Sequence, residues 1–144
     1  MLVICTGNTC RSPMAEGLLR MMMEERGIAG QVSSAGLCAV DGLPAALFAL
    51  EVMKEWGVDL SGHRSRQVTL SLIEQADHVV GITSRHVESL LLQFPEQQPR
   101  ICTFPLPDIP DPYGSSLESY RAIRDLLHEW SRSLVDHLLE SVQR

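Results

Sequence analysis

Leu2-Val3-Ile4-Cys5-Thr6-Gly7-Asn8-Thr9-Cys10-Arg11-Ser12-Pro13 follows the initial Met1. Leu2 to Ile4 is a short apolar run that reads as a buried strand. Ser12-Pro13 reads as a helix start, with Ser12 as N-cap and Pro13 at the first helical position, where the missing N–H would have no partner anyway. A strand feeding a helix through a short loop is the front half of a parallel βαβ unit, so this stretch predicts an α/β protein.

The rest of the chain repeats that alternation. Gln31 to Ser34, Val79 to Ile82 and Ile101 to Phe104 read as further strands. The first helix carries Ala15, Leu18, Leu19 and Met22 and stops near Gly27. Pro44 starts another, with Leu47, Leu50 and Met53 inward and Gly57 as its stop. Ser71 with Glu74 has the form of a capping box, and so has Ser115 with Glu118. Between them a helix runs from Thr83 to about Gln93. The last helix carries Leu117, Tyr120, Ile123, Leu127, Leu134 and Leu138 at helical spacing. We expect one domain over residues 1–144, with a central parallel sheet of about four strands and helices on both faces. In such sheets sites form where strands end and helices begin.

Composition narrows the function classes. The 144 residues are 44% hydrophobic and 21% charged, with a formal net charge of −6. An acidic chain makes a poor general nucleic-acid binder, since phosphate backbones need a basic face. No apolar run reaches membrane-spanning length, and no export signal is visible at the N-terminus. The expected location is cytoplasmic, with no membrane partner. Cys5, Cys10, Cys38 and Cys102 are too few and scattered for a secreted disulfide framework. They lack C-x-x-C spacing, so neither a structural zinc site nor a thioredoxin-type motif is expected, and no residue pattern implies a cofactor.

The loop from Cys5 to Ser12 has the parts of an oxyanion site. Inward-pointing N–H groups hold phosphate oxygens, and a helix start adds free N–H groups and a positive dipole end. Gly7 and Asn8 allow backbone geometry that other residues resist, and the Asn8 side chain can tie the loop down. The planar Arg11 fork matches two phosphate oxygens. Groups that hold a phosphate also stabilise a thiolate at Cys5, and Ser12 is placed to add a hydroxyl hydrogen bond. The loop thus activates a nucleophile and binds its target. A thiolate displacing a leaving group also needs a proton donor. Asp108 and Asp111, in the proline-stiffened run Pro105 to Gly114, are close to equal candidates on bare chemistry.

The signature Cys5-Thr6-Gly7-Asn8-Thr9-Cys10-Arg11-Ser12-Pro13-Met14-Ala15-Glu16 resembles that of the low-molecular-weight protein tyrosine phosphatase family. Ser34-Ala35-Gly36, Gly62 to Gln67 and Asp111-Pro112-Tyr113-Gly114 resemble other family segments, in the expected order. The resemblance implies metal-free hydrolysis of phosphorylated proteins through a phosphocysteine. It implies Cys5 as nucleophile, Arg11 as phosphate clamp and Asp111 as general acid and base, leaving Asp108 a solvated turn residue. Thr6, Gly7, Asn8, Thr9, Cys10, Arg11 and Ser12 would form the phosphate-binding loop, with Asn8 and Ser12 ordering it.

Thr9 sets the expected substrate. Tyrosine phosphatases of the family have an aliphatic residue there, and Thr resembles the protein arginine phosphatase branch. A hydroxyl in place of a methyl gives polarity where a guanidinium, rather than an aryl ring, would sit. Only one aromatic, Tyr113, follows Asp111-Pro112, so the wall for an aryl ring is thin. Phosphoarginine is therefore preferred, with phosphotyrosine as the alternative. An arsenate reductase, which needs relay cysteines, and a non-catalytic phosphate-binding module are the remaining readings. Cys10 is either a redox partner that bridges to Cys5 or a packed thiol. Cys38 and Cys102 read as small packed residues, and His63 as either a support for the loop or a turn cap.

Overall fold

In the computed structural model, which describes residues 1–143, the opening apolar run forms strand β1 (Leu2–Cys5). β2 (Ser33–Gly36) and β3 (Val79–Gly81) lie on either side of it, both parallel, in the order β2-β1-β3. Cys5 pairs with Gly36, and Ile4 with both Ala35 and Gly81. Side chains alternate across a strand, so Val3 and Cys5 enter one core while Leu2 and Ile4 enter the other. Burial on both faces explains why β1 reads as an unbroken apolar run.

Five helices follow in the order α1 (Arg11–Glu25), α2 (Leu47–Lys54), α3 (Leu70–Glu74), α4 (Ser84–Gln93) and α5 (Leu117–Val142). A short 3-10 helix, Pro95–Arg100, trails α4. Leu18, Leu19 and Met22 of α1 share the first core with Ala49, Val52 and Met53 of α2 and with Ile123, Leu127, Trp130 and Leu134 of α5. Ile73 of α3 and Leu90 of α4 close the second core on the opposite face. No helix among the described residues is long and apolar enough to cross a membrane.

Several expected boundaries shift. The sheet has three strands, not four: Ile101 makes a single bridge to Val79, and Cys102 N–H donates to the Val79 carbonyl at 2.8 Å. Pro105 and Pro107 have no N–H to carry a ladder further. The second strand begins at Ser33 rather than Gln31. α1 starts at Arg11, so Ser12 lies inside it and its hydroxyl serves Cys5 instead of a cap. α2 starts at Leu47, which is exposed, and the inward positions are Ala49, Val52 and Met53. The caps of α3 and α5 are Thr69 and Ser116, whose side chains accept from Leu72 N–H and Ser119 N–H, in place of Ser71 and Ser115. In the last case the neighbouring hydroxyl has the geometry, which spacing alone did not distinguish. Cys38 is exposed rather than packed.

One clamp ties α2 to α5. Arg124, buried on α5, donates to the Val52 carbonyl at 2.9 Å and to Glu55 at 2.7 Å, with its guanidinium 4.0 Å over the Trp56 ring. Arg121 grips the same Glu55 at 2.7 Å. Hydrogen bonds from Arg121 and then Arg124 hold the Glu55 carboxyl down at about 2.

Candidate active site

β1 is the central strand, and its neighbours are reached by crossovers to either side, so its carboxyl end is a topological switch point. Cys5 stands there, 3% exposed. Its sulfur lies 2.9 Å from Ser12 Oγ and accepts from Asn8 N–H at 3.3 Å. Asn8 Nδ2 donates to Ser12 Oγ at 2.8 Å, which directs the Ser12 hydroxyl proton toward the sulfur.

Asn8 is the knot of the loop. It is fully buried and has φ 58°, a left-handed conformation that asparagine tolerates. Its Nδ2 also donates to Ser34 Oγ at 3.0 Å, and its Oδ1 accepts from Arg66 N–H at 3.0 Å. Its carbonyl meets His63 Nε2 at 2.7 Å, so His63 supports the loop. With Asn8 fixed, the backbone N–H groups of Gly7, Thr9, Cys10, Arg11 and Ser12 find no acceptor among the described residues. Free amides at a helix start, around a buried sulfur, form a receptor for a tetrahedral oxyanion.

Arg11, 7% exposed, is aimed by its own hydrogen bond: one nitrogen donates to the Ile109 carbonyl at 2.9 Å. Its other terminal nitrogen is 3.6 Å from Asp111 Oδ2. Asp111 Oδ1 accepts from Tyr113 N–H at 3.0 Å, a local turn that holds the carboxyl toward the loop. Asp108, expected to be a solvated turn residue, is exposed but not free. It accepts from Ser84 N–H at 2.8 Å and from Ser84 Oγ at 3.1 Å, anchoring the proline-rich loop to the start of α4. Of the two carboxylates only Asp111 is beside Arg11. Tyr113 is 78% exposed at the rim. Thr9 is half-buried, and its carbonyl accepts from Ala46 N–H at 2.9 Å.

Cys10 faces away from this receptor, its sulfur 3.2 Å from Tyr120 Oη. Burial pushes the Cys10 thiol up, against the hydrogen bond from Tyr120. Cys102 lies at the opposite end of the sheet, beside the start of β3, and burial pushes it up to about 11. Among the described residues no cluster of His, Cys, Asp or Glu is arranged to hold a metal ion.

A family model described as low molecular weight phosphotyrosine protein phosphatase matches residues 1–144. The chain belongs to the low-molecular-weight phosphotyrosine protein phosphatase family. Within it, a protein-arginine-phosphatase of Geobacillus stearothermophilus is 41% identical over 151 residues, covering 99% of this chain and 95% of its own. The low-molecular-weight protein-tyrosine-phosphatase Wzb of Escherichia coli strain K12 is 37% identical over 141 residues, covering 92% of this chain and 93% of its own. A solved YwlE arginine phosphatase, a cysteine-to-serine mutant with a phosphorylated active-site serine, superposes with a TM-score of 0.89. It is 35% identical, over 95% of this chain and 93% of that one. As a member of this family the chain is a cysteine-dependent protein phosphatase.

Sequence reasoning missed three supports of the loop. Ser34 receives the Asn8 amide. Gly36 is needed because a Cβ there would sit 2.5 Å from the Thr6 carbonyl oxygen. His86, 5% exposed, reaches Thr6 Oγ1 from α4. The only sequence signal for His86 was its place three residues after the Thr83 cap, which predicts a partner for Thr83 but not for Thr6.

Proposed function

We propose that the protein hydrolyses phosphorylated protein side chains, phosphoarginine above others, through a phosphocysteine on Cys5. The observation that carries this reading is the ring of unpartnered N–H groups around the Cys5 sulfur, with Arg11 and Asp111 at its mouth. The ring and the Arg11 guanidinium hold the three equatorial oxygens, where charge spreads in the transition state. Cys5 Sγ attacks phosphorus in line with the leaving group, and the Ser12 hydroxyl supports the thiolate. Phosphate entering the loop takes Arg11 from Asp111 and leaves the carboxyl facing the leaving nitrogen, to which it gives a proton. Asp111 then removes a proton from water, which attacks phosphocysteine and releases inorganic phosphate and the thiolate. The phosphorylated serine in the solved relative supports the same covalent route here.

Thr9, half-buried at the loop, and the likeness to the Geobacillus stearothermophilus protein-arginine-phosphatase support phosphoarginine. A second reading, phosphotyrosine, is favoured by the likeness to Wzb and by the exposed Tyr113 ring beside Asp111. The test is kcat/KM on one protein carrying either modification, with Cys5→Ser as blank. Phosphoarginine preference that falls or reverses in Thr9→Ile supports the reading; phosphotyrosine preference overturns the assignment of Thr9. The arsenate-reductase alternative has less support: it needs relay cysteines, and Cys102 is at the far end of the sheet, leaving only Cys10 and the exposed Cys38 near the loop.

The thiol mechanism needs reduced Cys5 and so favours a cytoplasmic setting. The acidic charge disfavours nucleic acid as a partner. Cys10 is a reserve thiol: hydrogen peroxide oxidises Cys5 to a sulfenic acid, and Cys10 condenses with it to a disulfide, releasing water. Cys10 must turn from Tyr120 to do so. Peptide mapping after mild peroxide should find the bridge; over-oxidised Cys5 without it contradicts this role.

A further inference from the structure

His86 is the buried histidine that the mechanism does not use, and its two ring nitrogens are both committed. Nδ1 accepts from Thr83 N–H at 3.1 Å, closing the cap of α4. Nδ1 therefore carries no proton, and Nε2 carries it in the neutral ring. Nε2 lies 3.0 Å from Thr6 Oγ1, so the imidazole donates to the Thr6 hydroxyl. Burial, and then the nearby Arg11 charge, lower His86 to about 4, which keeps the ring neutral and this donor in place at neutral pH.

Thr6 is the residue after the nucleophile. On the β2 side its carbonyl accepts from Cys38 N–H at 2.9 Å, and Gly36 leaves room for that approach. On the other side its exposed side chain meets one hydrogen-bond partner among the described residues, His86. The start of α4 packs tightly on β3 here, so close that a Cβ on Gly81 would lie 3.0 Å from His86 Cβ. A cleft of about 440 Å³ opens over this contact, bounded by Thr6, Arg11, Cys38, Arg85 and Asp108.

We propose that His86 is a positioning residue for phosphate binding: through Thr6 Oγ1 it holds the first turn of the phosphate loop in register with the rest of the amide ring. The contact also joins the loop to the acid. Asp108 grips Ser84, and Thr83 and Ser84 open the helix that carries His86. The start of α4 thus sets both the loop below the phosphate and the segment bearing Asp111. This inference rests on the phosphatase reading above.

The experiment measures inhibition by inorganic phosphate, KM and kcat on an aryl phosphate, and Tm, for His86→Ala, Thr6→Val, the double variant and His86→Gln. Losing one hydrogen bond that orders a binding loop weakens phosphate inhibition by about tenfold. We expect that loss in both single variants, no further loss in the double, and recovery in His86→Gln, whose amide donates to Thr6. KM should rise with the inhibition constant while kcat changes less. Thr6 is exposed, so Thr6→Val reports even if His86→Ala fails to fold. Wild-type inhibition by phosphate in Thr6→Val, or losses that multiply in the double variant, overturns the proposal while leaving the phosphatase reading intact. Equal turnover by wild type and Cys5→Ser overturns both.

Discussion

Asp111 and Cys5 act on different bonds, and their variants should separate. Cys5→Ser removes the nucleophile for every substrate. Asp111→Asn removes only the proton donor, so its effect depends on the leaving group. On a phosphoprotein we expect a loss of about 10²–10⁴-fold in kcat/KM, which reports formation of the phosphocysteine, and a much smaller loss in kcat/KM on 4-nitrophenyl phosphate, whose anion leaves unaided. Steady-state kinetics on the two substrates checks this; equal losses would remove Asp111 as the acid. Asn8 is a structural counterpart. Asn8→Ala strips the partners of Ser12, Ser34 and Arg66 N–H in a fully buried place, and keeps a left-handed φ without asparagine's tolerance. Orphaned buried groups cost about 1–3 kcal/mol each, so denaturant unfolding should show a loss of about 3 kcal/mol or more.

Gly36 shows how an element end positions a site without touching substrate. An alanine Cβ would stand 2.5 Å from a backbone oxygen, which cannot swing away as a side chain can. Gly36→Ala should push Thr6 and Cys5 out of place, costing about 1–3 kcal/mol in stability and a larger share of activity. Unfolding and turnover measured together test this; a stable, fully active variant contradicts it. The same scale shows what the sequence made readable. β1, the loop and α1 were legible because apolar run, glycine, arginine and proline occur within a dozen residues. Cys5, Asn8 and Ser12 of that stretch are joined by hydrogen bonds, and Arg11 is turned to Ile109 and Asp111. The fourth strand was misread because an apolar run of suitable length cannot reveal that prolines end its ladder. Leu47 was misplaced inward because helical phase depends on where the helix starts, and Pro44 was not that place. Ser34 and Gly36 stand in a segment the resemblance picks out, but their roles in holding the loop come from strand register, and that of His86 from a contact between residues 80 apart in the chain.

Acid brings these parts together in the whole molecule. His86 falls from its ordinary value of 6.5 to about 4, through burial and then Arg11, against the opposing pull of Asp108 and Asp111. Between those values the unfolded chain takes up a proton that the folded one refuses, so stability rises with pH and declines as pH falls from 6.5 toward 4. Glu55, held at about 2 rather than 4.5, contributes stability that is present above 4.5 and lost as pH falls through 2. Both effects weaken the fold in acid, but in different windows. The slope between pH 4.5 and 6.5 should flatten in His86→Gln, while Glu55→Gln should alter only the more acidic part. Urea unfolding across pH checks both; an unchanged slope in His86→Gln would contradict a neutral His86 in the folded protein.

The whole account turns on a covalent bond to Cys5. Asp111→Asn should still be phosphorylated by 4-nitrophenyl phosphate, because that leaving group needs no acid, yet should hydrolyse slowly without a base for water. We would quench that reaction within seconds and map the peptides by mass spectrometry under conditions that preserve thiophosphate esters. The account predicts one added phosphoryl group on the peptide containing Cys5, absent in the Cys5→Ser, Asp111→Asn double variant. Phosphate on another residue, or a persistently unmodified Cys5 while turnover continues without it, would contradict it.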